Sequence, residues 1–548
     1  MLRRFALLFA APLILAAAGT PPPTITQVSN AGSWRTAGLS ASGIAQGSIF
    51  TILGNNLGPS TCASPTTPPQ PTQLCNVTIA VTVNSTSVAP YIYDMFYGTY
   101  ISAILPSLTP TGNGTITVTY NNQTSSAYPI QVVATAFGTF TANSQGLGQA
   151  SVTDWPNYNL NTIIHTLHPG DTAILWGTGL GPISGSDADT PPVGNIGSPT
   201  VYVGNTPVTA GSGLLYAGRS GGWPGLDQIN FTVPQGVQGC YVPIAVETAG
   251  GIGNIGTIAV SAPGTNTCSD SVMGQDLITK LASGSSVNFA YLRLVSINLR
   301  FNGLAVSGAL GNGDYARATF SGFTPQTAFN ANYGVSSGYC IAGPYDVDDQ
   351  STAQLDAGTG LSLSGPLSAP GPITPDYPGG GYYYLLLNQN INKFLFSAYQ
   401  YTISGPGGAA VGTFSVADTT QIPSAQLSGG VTSQSFSRSN DLTLQWTFSN
   451  TALQNAPVIL GGASFSSDQS LVGEFECSLP AGTQKFTVPA WVLSTLPPTG
   501  MSKQGAETIP LGYLWVGQYN NPTTFSTQGL DRGIFTDIFF QGSLVTFQ

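Results

Sequence analysis

Two stretches of this chain repeat one another, and this restricts the available folds more than any other feature. Gly47, Gly54, Leu57, Gly58 and Pro59 recur as Gly170, Gly177, Leu180, Gly181 and Pro182, at a constant offset of 123 residues. Further on, Val81-Thr-Val-Asn-Ser-Thr-Ser-Val88 matches Val201-Tyr-Val-Gly-Asn-Thr-Pro-Val208. Ile101–Pro106 then matches Ile229–Pro234, and Gly114–Thr119 matches Gly239–Ile244. Four matched blocks in one order indicate tandem copies of a single domain. Within each copy, short β-branched runs such as Ser48–Leu53, Val77–Val83 and Thr115–Tyr120 alternate with Gly, Pro and Asn. Their spacing of roughly ten residues suits a β-sandwich of about seven strands. The Gly-x-x-Leu-Gly-Pro block reads as a structural turn, because glycine adopts positive φ where a chain reverses.

Composition agrees with an all-β reading. Of 548 residues, 68 are Gly and 40 Pro, with 13 Lys+Arg, 23 Asp+Glu and two His. Long helices and coiled coils lack their preferred residues here. A net charge of -10 and no basic cluster argue against nucleic acid as a partner. Charge-driven disorder is excluded by a hydrophobic content of 41%. A chain of this length supports several domains.

Arg3 and Arg4, an apolar run from Phe5 to Leu15 and then Ala16-Ala17-Ala18-Gly19 have the form of a secretory signal peptide, residues 1–18, cleaved near Ala18. The apolar run falls short of the ~20 residues that span a bilayer. No later apolar stretch is long enough, so no membrane span is expected in the mature chain. The expected location is secreted, periplasmic or at the cell surface. The ending Phe539–Gln548 invites an outer-membrane barrel reading, but the strand-like segments are too short and irregular for one. Six Cys, at 62, 75, 240, 268, 340 and 477, favour disulfides in an exported chain. No Cys-x-x-Cys or Cys/His cluster suggests zinc.

The Gly-(Asp/Ser)-x-x-x-(Ile/Leu)-x-Gly-x-x-Leu-Gly-Pro block, the Val-x-Val-x-x-x-x-Val strand and Gly225-Leu-Asp-Gln-Ile229-Asn-Phe-Thr-Val-Pro234 resemble a family of exported acidobacterial (Solibacter-type) domains related to immunoglobulin-like IPT/TIG modules. The second copy matches best, through Gly239-Cys240-Tyr-Val-Pro-Ile and Thr267-Cys268-Ser-Asp. The first lacks the Gly-Leu-x-Gln-Ile-Asn stretch and inserts a Pro/Thr loop between Cys62 and Cys75. The resemblance implies fold and export and no reaction. It gives immunoglobulin-like repeats over 24–135 and 136–268.

Beyond 270, Leu355–Pro366, Tyr401–Gly408, Leu442–Trp446, Phe475–Cys477 and Phe486–Pro489 resemble the C-terminal region attached to such modules. Strands are expected over Phe289–Phe301, Tyr382–Leu387 and Phe394–Ile403, with a surface loop over Gly365–Gly381. A Gly429-Gly430 break before the alternating Leu442–Phe448 suggests a β-rich domain over 270–428 and a C-terminal β-sandwich over 429–548. The helix expected in that last piece is Pro489–Leu496, ended by Pro497-Pro498. Six Cys allow 15 pairings. Cys62 and Cys75 share one inserted loop, and Cys240 and Cys268 bracket the last strands of the second repeat, where the resemblance supports both. Cys340 and Cys477 remain, as a third bridge or as buried free thiols.

Chemistry is sparse. Gly334-Val-Ser336-Ser-Gly338 fits a serine-hydrolase string, but Tyr339–Pro344 cannot start a helix, and His165 and His168 lie in another domain. His165, His168 and Asp171 read as solvated loop residues, since strand positions three apart face opposite ways. Asp346, Asp348 and Asp349, and more weakly Asp187 and Asp189, are calcium candidates in Gly/Pro-flanked loops, without the EF-hand spacing. Paired glycosidase carboxylates cannot be placed from sequence. For ligand contact, Trp223 in a Gly-rich loop and Tyr382, Tyr383 and Tyr384 are the aromatic candidates, beside Trp155, Trp491 and Trp515. Trp176, aligned with Leu53, is expected in the core. The expected function is non-catalytic: an exported protein for surface display, adhesion or matrix contacts, its partner a polysaccharide or another surface protein. The alternatives are a dedicated carbohydrate-binding protein and a hydrolase with its site in 270–548. No cofactor is expected apart from calcium.

Overall fold

The computed structural model describes residues 21–548 except 271, 302–303, 306–312, 326–333, 344–352, 389–393, 421–424, 429–433, 449–455 and 505–506. In the first sandwich, one sheet runs in the order Thr24–Asn30, Ile49–Asn55, Tyr100–Ile104, Tyr91–Phe96. The facing sheet is built on Tyr128–Val133, Gly112–Tyr120 and Val77–Val83. Strict alternation along Val77–Val83 turns Val77, Ile79, Val81 and Val83 inward. They pack on Phe50, Ile52, Ile101 and Ala103 from the other sheet.

The second sandwich repeats this order strand for strand. Gly138–Thr139, Thr172–Thr178, Asp227–Thr232 and Leu214–Arg219 form one sheet, and Thr206–Val208, Thr200–Val203 and Gly239–Thr248 the core of the other. Even the parallel contact of Ile44 with Val132 has its counterpart, Leu167 with Val260. Both sandwiches have more strands than the seven expected, the additions being short edge pieces of two or three residues. The repeated glycines serve two purposes. Gly47 and Gly170 take positive φ, 72° and 96°. Gly54 instead lets a neighbouring strand pass close by, since a Cβ there would lie 1.9 Å from the Thr24 carbonyl oxygen.

The division expected near 428 is not followed. One large sheet takes strands from both sides of it, in the order Tyr339–Gly343, Val472–Leu479, Val458–Phe465, Gly512–Tyr519, Leu530–Phe547, Val287–Phe301, Gly313–Phe323, Tyr382–Asn388. Leu530–Phe547 and Val287–Phe301 pair in parallel, from Phe289 opposite Arg532 to Arg300 opposite Ser543. Gly429 and Gly430 lie outside the described residues; the fresh alternation at 442 marks a change of layer, and the pairing partners come from far away in sequence. On one face, Ala290, Leu292 and Leu294 meet Tyr401, Ile403 and Val416 of a three-stranded sheet. Further along, Leu460, Phe475 and Val516 meet Leu442, Leu444 and Trp446 of another. The Phe394–Ile403 strand starts late, at Gln400, because the Phe394 and Leu395 N–H groups donate to Asp314 Oδ2 instead. The expected helix shrinks to Ala490–Leu493. A second helix, Gln275–Ala282, was not anticipated; Leu277, Ile278 and Leu281 line its buried side. They pack between the second sandwich and the large sheet.

Disulfides join Cys62 to Cys75, Cys240 to Cys268 and Cys340 to Cys477. Among the described residues, no helix is long and apolar enough to cross a membrane.

Candidate functional site

Ser336, His165, His168, Asp171 and Asp187 sit in structural contacts. Ser336 Oγ accepts the Tyr241 N–H at 2.9 Å, and the Ser336 N–H donates to the Tyr241 carbonyl at 3.0 Å. This serine therefore ties the C-terminal half to the second sandwich. The histidines are not simply solvated: each has its own carboxylate. His165 Nε2 lies 3.2 Å from Asp154 Oδ2, and His168 Nδ1 lies 3.0 Å from Asp171 Oδ2. Partial burial pushes the Asp154 carboxyl up, but hydrogen bonds from Asn159 and His165 outweigh it and hold the group below its ordinary value. Asp187 is buried and accepts the Ser107 N–H at 2.6 Å and the Ser107 hydroxyl at 2.8 Å, which leaves no open calcium loop there. Burial keeps its carboxyl above the ordinary range, against the pull of Ser107 and Arg219. Asp189 is exposed. Asp346, Asp348 and Asp349 lie outside the described residues. Among the described residues, no group of three His, Cys, Asp or Glu gathers to hold a metal.

What the fold does concentrate is a buried polar clasp between the two sandwiches. Arg219 ends the strand Leu214–Arg219 directly opposite Asp227, and the two form an ion pair with side chains 1% and 0% exposed. Charges so deep need further partners, and they have them. Arg219 Nη2 donates to the Gly47 carbonyl of the first sandwich at 2.8 Å and to the Gly181 carbonyl at 2.9 Å. Asp227 Oδ2 accepts the Gly179 and Leu180 N–H groups at 2.7 and 2.8 Å. The repeated glycine block is thus more than a turn, because it presents carbonyls and amides to the clasp. Asn30 adds bonds to the Ala136 and Thr178 carbonyls at 3.0 and 3.2 Å. Arg35 reaches the Gly253 carbonyl at 2.8 Å, and burial lowers its pKa to about 10. The second sandwich is tied in turn to the C-terminal half, where Tyr202 stacks on Trp491 with centroids 5.1 Å apart.

The aromatic candidates separate. Trp223 is half-buried and meets Tyr93 of the first sandwich edge-on at 6.2 Å, which makes it a junction residue. In the Tyr382–Tyr384 run, strand alternation divides the three. Tyr383 is fully buried and donates its hydroxyl to the Gly358 carbonyl at 2.7 Å. Tyr382 and Tyr384 face the other way, with the Arg317 guanidinium 4.6 Å from the centre of the Tyr382 ring. On the neighbouring strand Arg293, opposite Arg317, lies 4.6 Å over Tyr291. Burial raises the Glu476 carboxyl nearby, offset in part by the Arg293 charge. Trp176 is not in the core: Ala173 and Leu175 point inward, and the half-buried indole N–H donates to Thr153 Oγ1 at 3.1 Å. Trp155 is exposed and edge-on to Tyr158 at 5.5 Å. Trp515 covers Gly461 and meets Phe540 at 6.3 Å.

One group escaped the sequence reading. Trp34, Tyr100, Phe96 and Tyr97 of the first sandwich form a file of rings, with successive centroids 6.4, 5.6 and 6.4 Å apart. The residues are scattered over three segments, and only the Phe-Tyr-Gly turn of 96–98 could have drawn notice.

No protein-family model matches the chain, and no curated protein does. Among solved structures it is similar to the FN1–FN3 domains of chicken CNTN1, at 9% identity over 72% of this chain and 98% of that one, with a TM-score of 0.15. Domains 5–6 of the S-layer protein SbsC align at 13% identity over 44% of this chain and 99% of that one, TM-score 0.16. The Sidekick-1 immunoglobulin domains 1–5 align at 10% identity over 92% and 97%, TM-score 0.12. By its own strand pairing, the chain is an all-β protein of tandem sandwiches joined to a larger β unit.

Proposed function

We propose that this is an exported, non-catalytic protein of the cell surface or extracellular matrix, in which two immunoglobulin-like sandwiches form one stiff arm on a C-terminal β unit. The observation that carries this reading is the clasp at Arg219. A buried ion pair with four backbone partners at a domain junction suppresses hinge motion, which suits a projecting spacer better than a closing active site. Three disulfides support an oxidising compartment. The residues of 1–18 supply the export signal in this reading, with cleavage near Ala18, and the motif resemblance to Solibacter-type exported proteins belongs to it as well.

The test is protease shaving of intact cells that make the protein, paired with adherence of those cells and of a deletion strain to a solid substratum. Release of surface peptides and reduced adherence on deletion are expected. A reduced protein retained in the cytoplasm would overturn the reading, as would equal adherence of both strains.

A further inference from the structure

The file of rings on the first sandwich has no role in the core. None of Trp34, Tyr100, Phe96 and Tyr97 belongs to the buried cluster of that domain, and Phe96 and Tyr97 are 49% and 80% exposed. Trp34 and Tyr100 are half-buried beside them, while Phe96 and Tyr97 give up the burial that normally justifies large aromatics. Two of the four also sit in a backbone conformation that bulky residues rarely adopt, Trp34 at φ 55° and Tyr97 at φ 51°. The fold holds both firmly. Asn30 Oδ1 accepts the Gly32 and Ser33 N–H groups, and the Trp34 N–H donates to the Asn30 carbonyl at 3.1 Å. The same asparagine bonds the second sandwich, so the clasp fixes the backbone that carries Trp34. Tyr97 rides on a turn closed by the Thr99 N–H on the Phe96 carbonyl at 3.1 Å, and the Gly98 carbonyl is anchored by the Leu57 N–H at 2.8 Å.

We propose that this face of the first sandwich binds an uncharged polysaccharide strand. A pyranose lays its C–H face on an aromatic ring, and a chain of sugars needs rings in succession rather than one pocket. Here successive rings are tilted by 33°, 44° and 35°, neither flat-stacked nor edge-on, so that neighbouring rings offer faces to successive sugars. Because the platform is preorganised, little ordering is left for binding to supply. Asp94 lies two residues before Phe96 on the same strand, opposite Ser102 as Phe96 is opposite Tyr100, and its Oδ1 accepts the Ser64 hydroxyl and the Met95 N–H. A carboxylate beside the rings accepts sugar hydroxyls and repels acidic polymers. A net charge of -10 also disfavours attraction of the chain to an anionic membrane. The site rests on the geometry of the first sandwich and stands apart from the display reading.

The test uses the full mature protein with hydroxyethylcellulose, arabinoxylan and galactomannan as neutral polymers, polygalacturonate as an acidic one, and phosphatidylcholine vesicles. Affinity electrophoresis and calorimetry should show binding to at least one neutral polymer. Phe96→Ala with Tyr97→Ala should weaken it by about tenfold or more, with unchanged thermal unfolding because both rings are exposed. Trp155→Ala with Tyr158→Ala, the exposed pair of the second sandwich, should leave it unchanged. The proposal fails if no neutral polymer is retained, if binding survives loss of both rings, or if polygalacturonate or vesicles are preferred.

Discussion

Arg219 of the second sandwich donates to the carbonyl oxygen of Gly47, 172 residues earlier in the first. Arg219→Ala should therefore cost about 3–5 kcal/mol, because it strands the buried Asp227 carboxylate and two carbonyls at once. The double variant Arg219→Met/Asp227→Leu should recover most of that loss, since the ion pair is replaced by apolar volume. Gly47→Ala should act like a weaker Arg219 variant: at φ 72° its Cβ would meet Arg219 Nη2 at 2.3 Å. Denaturant unfolding of the three proteins checks this, and equal losses for the single and double variants would sink it.

Removal of single disulfides should rank by the length of chain each closes. Cys340 and Cys477 face each other across adjacent antiparallel strands and close a separation of 137 residues, whereas Cys62 and Cys75 close only 13. The chain-entropy model gives about 5 kcal/mol for the first and about 3 kcal/mol for the second. Paired Cys→Ala variants, followed by thermal unfolding, should show the larger drop for 340 and 477. A larger drop for 62 and 75 would contradict the ranking.

The two sandwiches were legible because their strands are local: alternation at Val77–Val83 and the repeated Gly47–Pro59 block are written in consecutive residues. The C-terminal half was not, because parallel pairing of Val287–Phe301 with Leu530–Phe547 leaves no mark on the sequence between them. The helix Gln275–Ala282 was readable in retrospect from the spacing of Leu277, Ile278 and Leu281. Trp223, in a Gly-rich loop, reads as a ligand contact because sequence cannot show that Tyr93 of another domain meets it. The platform at Trp34, Phe96, Tyr97 and Tyr100 stayed hidden for a related reason. Its rings come together only when the hairpin closes over the turn at Asn30.

Glu476→Gln should stabilise the protein at pH 7 and change nothing well below pH 4.5. Burial raises the Glu476 carboxyl above its ordinary 4.5, with Arg293 offsetting only part of the shift. The folded state then holds that proton more tightly than the unfolded chain, so stability falls as pH rises from 4.5 through the folded value. Denaturation midpoints of both proteins at the two pH values decide the matter, and a destabilised variant at pH 7 would count against it.

Asp531 should behave in the opposite sense. Burial raises its carboxyl, but Lys280 at 2.5 Å and the Asn288 N–H at 2.8 Å outweigh burial and hold it below 3.8. Its contribution is present above pH 3.8 and is lost as pH falls through the folded value. Asp531→Asn should make the acid limb of the stability profile shallower. Because Lys280 lies on the helix Gln275–Ala282, hydrogen exchange of that helix should quicken in the same variant. An unchanged acid limb would rule out this role for the carboxylate.

The parallel pairing of Val287–Phe301 with Leu530–Phe547 also sets an order of events during synthesis. The two sandwiches contain all their own strand partners and can close as soon as they emerge. Val287–Phe301 must wait until more than two hundred further residues have followed, with one long edge of backbone donors and acceptors unsatisfied. During that interval the exposed edge can pair with any extended strand it meets, including the same segment of a second copy. Holding that edge apart until residues 530–547 arrive is therefore a task for chaperones, and crowding of nascent chains is where this protein is most exposed to aggregation.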